Sequence, residues 1–248
     1  MGMLPDPGSI SRLPANLDFF ALLEPAQEVG GDLYDAFMLD DRRLFFMIGD
    51  VSGKGVPASL FMALTKTLCK CLARREPAEL GQVLSSVNDE ISQENPTTMF
   101  VTAIVGVINA VSGEVELCNA GHNPAILLCA HDMPRELDSA GGPPLCLDRG
   151  FTYPTQRLRL ADGDMLLLIT DGVTEAEDHR QGQFGLARTL QCLAGAPRLS
   201  AAGICHKLHA DVKHFTMGAV PSDDLTLLAV GFGGPPTTEV ERPKPSID

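Results

Sequence analysis

Residues 43–58 read Arg43-Leu44-Phe45-Phe46-Met47-Ile48-Gly49-Asp50-Val51-Ser52-Gly53-Lys54-Gly55-Val56-Pro57-Ala58, and their reading decides the fold class. The first part is a short apolar run rich in aromatic and branched side chains, the pattern of a buried strand. It ends on an acid, Asp50, among Gly49, Gly53 and Gly55. Pro57 then suits the first turn of a helix, along which Leu60, Phe61, Leu64, Leu68 and Leu72 recur with a helical period to about Ala73. A glycine-rich strand-to-helix turn invites comparison with a nucleotide-binding loop. That reading fails because the Gly49–Gly53 spacing is one residue too short and Lys54 is followed by Gly55 instead of Ser or Thr.

Upstream, Leu17 to Glu24 and Asp32 to Leu39 read as strands, with Asp40-Asp41 as the turn into Arg43 to Gly49. Downstream, Glu76-Pro77 breaks the first helix, and Leu80, Val83, Leu84, Val87 and Ile91 mark a second. Strands resume at Met99 to Asn109, Glu114 to Cys118, Ala125 to Ala130, Leu158 to Leu160 and Met165 to Thr170. Helical patterns follow near Leu186 to Leu193 and Ala201 to Phe215, and Leu225 to Val230 is the last strand. Because the helices are grouped and do not alternate singly with strands, the order disfavours a doubly wound parallel sheet. It favours an α+β fold of antiparallel sheets covered by helices. Residues 1–16 and 233–248 are rich in Pro, Gly and charge and read as a loose N-terminal segment or junction and a loose tail around one domain at 17–232. A length of 248 residues suits one or two domains.

Composition narrows the function classes. The 19 basic and 32 acidic side chains leave a formal charge of −13, with a pI near 4.8. Nucleic acid and anionic membrane surfaces are therefore disfavoured as partners, since both need clustered Lys and Arg. Apolar residues at 44% with 21% charged describe a packed globular chain. The longest unbroken apolar runs, such as Leu44 to Ile48, fall far short of the roughly 20 residues of a membrane span. Seven cysteines, an odd number lying mostly in apolar stretches, point to a reducing cytosol. Cys69-Lys70-Cys71 lacks the spacer of a redox or zinc pair. Cys205, His206, His209 and His214 form a second candidate metal cluster, with an amphipathic helix bearing solvated histidines as the plainer reading.

The chemistry is carried by acids at strand ends. Phe45 to Gly49 runs into Asp50, Leu166 to Thr170 runs into Asp171-Gly172, Asp223-Asp224 opens the strand at Leu225, and Asp32 follows Gly30-Gly31. Any one of these is ordinary turn chemistry. Several at once are not, because buried carboxylates repel one another and their charged forms are penalised by desolvation. Something positive must sit among them, and an all-oxygen donor set favours Mg²⁺ or Mn²⁺ over zinc. The Val51 carbonyl is accessible to join them. Two such ions about 3.5–4 Å apart would polarise phosphoryl oxygens and lower the pKa of a water, making a nucleophile without an attacking side chain.

Five segments carry a resemblance to a known family. They are Glu28-Val29-Gly30-Gly31-Asp32-Leu33-Tyr34-Asp35, Gly49-Asp50-Val51-Ser52-Gly53-Lys54-Gly55-Val56-Pro57-Ala58, Asn119-Ala120-Gly121-His122-Asn123-Pro124, Thr170-Asp171-Gly172-Val173-Thr174-Glu175-Ala176 and Asp223-Asp224-Leu225-Thr226. In this order, over roughly residues 17 to 231, the chain resembles the bacterial PPM/PP2C-type serine/threonine phosphatases of the sporulation-protein-E and sigma-factor-regulator branch. The resemblance implies a four-layer αββα sandwich and a binuclear Mn²⁺ or Mg²⁺ centre that activates water against phosphoserine or phosphothreonine. By position, Asp50 would bridge both ions, Asp171 and Asp223 would hold one, and Asp32 with the Val51 carbonyl the other. Asp224 and His122 are additional candidates, although residues 119–124 also read simply as a turn. The animal branch of the family has a histidine two residues after the bridging acid and an arginine ahead of the first acidic motif. Here stand Ser52 and no obvious arginine. The resemblance further implies a phosphorylated STAS-type antagonist protein as substrate in a partner-switching cascade, and helices after Asp50 that act as a switch for a sensor domain. It is compatible with a homodimer and with the cytosolic part of a larger membrane-anchored receptor. Two other readings compete: an aspartyl-nucleophile phosphotransferase, which needs alternating strands and helices, and a phosphatase-fold binding module without turnover.

Overall fold

The apolar run from Leu44 to Ile48 is buried on both sides, which explains why it does not alternate with polar residues. In a computed structural model, residues 13–233 are described apart from 28–29, 76–78, 94, 96–97, 130–131, 139 and 195–198. The expected tails lie outside the described residues except for 13–16 and Gly233, as do Glu28, Val29, Glu76, Pro77 and Ala130. The strands are β1 (Leu17–Glu24), β2 (Leu33–Met38), β3 (Arg43–Val51), β4 (Val101–Asn109), β5 (Glu114–Ala120), β6 (Ile126–Leu128), β7 (Arg135–Glu136), β8 (Gln156–Arg159), β9 (Met165–Ile169) and β10 (Leu225–Phe232). The helices are α1 (Val56–Arg75), α2 (Leu80–Gln93), α3 (Asp171–Thr174), α4 (Gly185–Ala194) and α5 (Ala201–Thr216).

Two five-stranded sheets result, ordered β1-β10-β9-β6-β7 and β2-β3-β4-β5-β8, with every pairing between these strands antiparallel. The alternating parallel architecture that an aspartyl nucleophile of the receiver or dehalogenase type would need is therefore absent from the described fold. Leu44, Phe46 and Ile48 of β3 face Leu166 and Leu168 of β9 and Leu228 and Val230 of β10 across the sandwich. The other face of β3, with Phe45, Met47 and Val51, packs under α1 and α2 through Phe61, Met62, Leu84, Val87 and Ile91. On the opposite side, Leu167, Ile169, Leu227 and Ala229 pack under α5 through Ile204, Cys205, Leu208 and Val212. The layers run α-β-β-α.

Two expectations need correcting at α1. The sequence period suggested Leu60 and Leu64 as part of its packed face, but they are 65% and 43% exposed. Ala58, Phe61, Met62, Thr65 and Cys69 face the sheet instead. That turn of the helix lets Lys70 reach the buried Asp35 carboxylate of β2 at 3.3 Å and lie with Arg74 over the Phe37 ring. The chain also does contain one described helix long and apolar enough to cross a bilayer by length and composition, namely α1. Unbroken apolar runs missed it because Lys66, Lys70, Thr65 and Thr67 interrupt an otherwise apolar stretch.

The register brings the acid-bearing ends together. Leu33 pairs with Gly49, so the start of β2 lies beside the end of β3, and Leu227 pairs with Ile169, so the start of β10 lies beside the end of β9. Phe46, fully buried between the sheets, is among the largest side chains of the layer beneath that end. Its ring fills the space that a side chain on Gly106 would occupy. Phe46→Ala should cost about 3–5 kcal/mol in urea unfolding, and a loss under about 1 kcal/mol would contradict this packing.

Candidate functional site

Asp50 stands in the last turn of the β3 ladder, opposite Thr102 of β4. The chain leaves the sheet at once through Gly53 and Gly55, both with left-handed backbone (φ +93° and +80°) that glycine adopts without strain. Asp171 opens the single turn of α3 directly after β9, and Asp223 and Asp224 precede β10. Asp32 precedes β2. The two sheets are stitched at this end by Asp32: its Oδ2 accepts hydrogen bonds from Thr170 Oγ1 at 2.8 Å and Thr226 Oγ1 at 2.5 Å. Thr226 N–H in turn donates to Thr170 Oγ1 at 3.0 Å.

Asp224 does a different job. Its Oδ2 accepts from the Gly31 N–H at 2.7 Å and the Asp32 N–H at 3.3 Å, and its Oδ1 accepts from the Ala26 N–H at 2.8 Å. It fastens the segment before β2 to the segment before β10, so both of its oxygens are engaged. The fit around it is close: a Cβ on Gly30 would come 1.9 Å from Asp224 Oδ2, and one on Gly172 would come 1.9 Å from the Asp224 carbonyl oxygen. A Cβ on Gly31 would meet the Val51 carbonyl oxygen at 2.8 Å and Asp50 Oδ1 at 3.0 Å. Glycine at position 31 therefore leaves open a concavity onto which an acid and a main-chain carbonyl converge.

The charges feel one another. Burial pushes the Asp50 carboxyl up to about 7, helped by Asp171, Asp223 and Asp224 in that order. Asp171 is raised by burial and by Asp223, with a small opposing effect from Lys54. Asp32 is pushed well above the carboxylate range by burial, against the pull of the Thr226 and Thr170 hydroxyls. Among the described residues no three acids, histidines or cysteines stand close enough to grip an ion as they are. The oxygen-only donor set, with Asp50 and the Val51 carbonyl meeting beside Gly31 and Asp50 influenced by Asp171 and Asp223, nonetheless fits Mg²⁺ or Mn²⁺ chemically.

The remaining candidates fall elsewhere. His122 is buried beside β4, its Nδ1 at 3.0 Å from Thr102 Oγ1 and its backbone braced by Asn119. Burial lowers its pKa to about 4, so it is neutral at physiological pH. Ser52 Oγ accepts from the Phe100 N–H and so secures the Asp50 loop to the start of β4. The Cys205 cluster is not a metal site among the described residues: Cys205 is buried in the α5 contact, the His206 ring lies tilted against Phe20, and His209 contacts Glu24 at 2.6 Å. All seven cysteines are free thiols. Sequence reading missed Thr170, Thr226 and the Asp224 anchor, although the threonines stand in the segments that carry Asp171 and Asp224.

A family model described as stage II sporulation protein E (SpoIIE) matches residues 40–233. The chain belongs to this SpoIIE family. The matched span contains Asp50, Val51, Asp171, Asp223 and Asp224 and begins after Asp32. Protein IcfG of Synechocystis sp. is 32% identical over 236 residues, covering 85% of this chain and 37% of that protein. Phosphoserine phosphatase RsbU of Bacillus subtilis is 31% identical over 159 residues, covering 64% of this chain and 47% of that protein. The chain thus spans less than half the length of these relatives. The SiaA-PP2C domain of Pseudomonas aeruginosa superposes with a TM-score of 0.73 at 20% identity, covering 86% of this chain and 84% of that one. The likeness shows a PP2C fold, the αββα sandwich that the sequence implied.

The raised carboxyls set a sign for pH dependence. Asp50 holds its proton up to about 7 when folded but only to about 3.8, the ordinary value, when unfolded. The stability this proton carries is complete below the lower value and lost as pH rises through the higher one. Asp32 and Asp171, also raised, act in the same direction. In chelator-treated protein the melting temperature should therefore lose this contribution between about pH 4 and about pH 7, and lose less in Asp50→Asn. Equal falls in both proteins would contradict the assignment.

Proposed function

We propose that this SpoIIE-family chain is a metal-dependent protein phosphatase that hydrolyses phosphoserine or phosphothreonine on a regulatory protein. The observation that carries the reading is the mutual electrostatic influence of Asp50, Asp171 and Asp223, together with the meeting of Asp50 Oδ1 and the Val51 carbonyl oxygen in the space beside Gly31. Likeness to a named phosphoserine phosphatase over most of the folded domain supports the same reaction class.

The residue roles are those that the family resemblance implies at these positions. Asp50, central to the mutual repulsion, would be shared between two Mn²⁺ or Mg²⁺ ions. Asp171 and Asp223 would complete one site, and Asp32 with the Val51 carbonyl the other. Asp224, with both oxygens already on backbone N–H groups, supports the site by fixing Gly31 and Asp32. When bound, such a pair of ions supplies Lewis acidity toward phosphoryl oxygens and makes a water acidic enough to attack at neutral pH. The Thr170 and Thr226 hydroxyls hold one Asp32 oxygen and leave the other directed by the rotation they fix. Ser52 is tied to Phe100 and His122 is buried and neutral, so neither is offered as the proton donor to the leaving oxygen.

For the substrate we infer a phosphorylated STAS-type antagonist protein within a partner-switching system, on the strength of family membership. A sensor domain elsewhere in a longer chain is inferred from the short share of the relatives that this chain spans. A cytosolic setting fits seven free thiols. A homodimer is compatible with the exposed Val56, Leu60 and Leu64 on α1.

Hydrolysis of p-nitrophenyl phosphate should require Mn²⁺ and should fall by about 100-fold or more in Asp50→Ala and in Asp171→Ala. Turnover that persists in strong chelator would refute the proposal. Phosphoprotein binding without any turnover in Mn²⁺ would favour the non-catalytic module instead.

A further inference from the structure

A phosphate monoester dianion approaching this site meets a chain of net charge −13 and a mouth built of aspartates. Ions held by those aspartates neutralise their own ligands first, so productive binding gains from a mobile cation at the rim. Several other described cations are committed to carboxylates outside the site. Lys213 is held by Glu24, as is His209. Lys70 serves the buried Asp35, with Lys66 in the same field. Arg43 is paired with Asp40, and Arg157 with Glu116 and Glu79.

Lys54 is different. It stands four residues after Asp50 on the loop that leaves the site, half-exposed. Its Nζ donates to the Ser222 carbonyl oxygen at 2.7 Å and lies 3.4 Å from Asp223 Oδ2. Both partners belong to the segment that carries the site's acids, and Asp171 also registers its charge. A Cβ on either flanking glycine, Gly53 or Gly55, would touch nothing within 4 Å, so open space adjoins Lys54 on both sides. The lysine spans the mouth from the β3 side to the β10 side.

We propose that Lys54 is the substrate-anchoring cation of this site: it leaves Asp223 when that carboxylate takes a divalent ion and instead donates to the non-bridging phosphoryl oxygens of the phosphoserine or phosphothreonine. This rests on the phosphatase reading above. The same charge that balances Asp223 in the metal-free chain thereby becomes available to substrate, and the lysine competes with the ion for Asp223. Charge-assisted hydrogen bonds to phosphate are worth about a 10- to 100-fold change in affinity. A long flexible stem on a glycine-flanked loop suits such a transfer of partner.

The test uses the full chain and the variants Lys54→Met and Lys54→Arg, loaded with Mn²⁺. Three quantities are read: KM for p-nitrophenyl phosphate, the affinity for inorganic phosphate by calorimetry, and the Mn²⁺ affinity by calorimetry. Lys54→Met is expected to raise KM and weaken phosphate binding by about tenfold or more, while binding Mn²⁺ no less tightly than the parent. Lys54→Arg is expected to restore phosphate binding to within about threefold, since arginine donates to phosphate at least as well. Phosphate affinity unchanged in Lys54→Met would overturn the proposal. So would a loss of phosphate affinity that tracks weakened Mn²⁺ binding, because the lysine would then act only by shaping the loop. Absence of Mn²⁺-dependent hydrolysis in the parent would strike the phosphatase reading, and the phosphate calorimetry would still decide the role of Lys54.

Discussion

Repulsion among aspartates crowded at one end of a desolvated sandwich is the constraint on which the rest of the structure turns. At the effective dielectric of a protein surface, two like charges about 4 Å apart cost on the order of 4 kcal/mol, while a typical hydrogen bond returns about 1 kcal/mol. Hydrogen bonds alone cannot make such a cluster comfortable. The fold spends its local donors selectively: three backbone N–H groups go to Asp224 and two threonine hydroxyls go to Asp32. Asp50 has no comparable set and is the acid driven up to about 7. The proposed metal centre would relieve that imbalance.

The antiparallel register is what creates the crowding. β2 starts where β3 ends, and β10 starts where β9 ends, so two strand pairs far apart in sequence deliver their polar ends to one edge. Glycines at 30, 31 and 172 then let main chain and carboxylates approach at distances that any Cβ would forbid. The sandwich core beneath, with Phe46 at its centre, holds both sheets at fixed separation. Site geometry is therefore a property of the whole double sheet and of no single loop.

Much of this was legible in the sequence because the informative strands are buried on both faces and so read as continuous apolar runs. β3 and β9 announce themselves in this way, and each runs into an acid of the candidate site. Grouped helices pointed to antiparallel sheets, and β1 and the centre of α5 fell where the pattern placed them. What stayed hidden depends on three-dimensional neighbours. The face of α1 was misjudged because Leu60 and Leu64 are as apolar as Phe61 and Met62, and only the sheet's need for Ala58, Thr65 and Cys69 at close approach, with Lys70 on Asp35, selects one side. The two-residue β7 and single-turn α3 are too short to carry a period. The bracing of Asp32 by Thr170 and Thr226 links positions 138 and 194 residues apart, a distance no local pattern reports.

The most direct measurement is calorimetric titration of metal-free protein with Mn²⁺ near pH 6.5, in buffers of different ionisation enthalpy so that proton release is counted. The account requires about two ions per chain, with protons expelled from the raised carboxyls as they bind. It also requires that Asp50→Asn lose most of this affinity. Failure to bind Mn²⁺, or binding of equal strength and stoichiometry in Asp50→Asn, would contradict it.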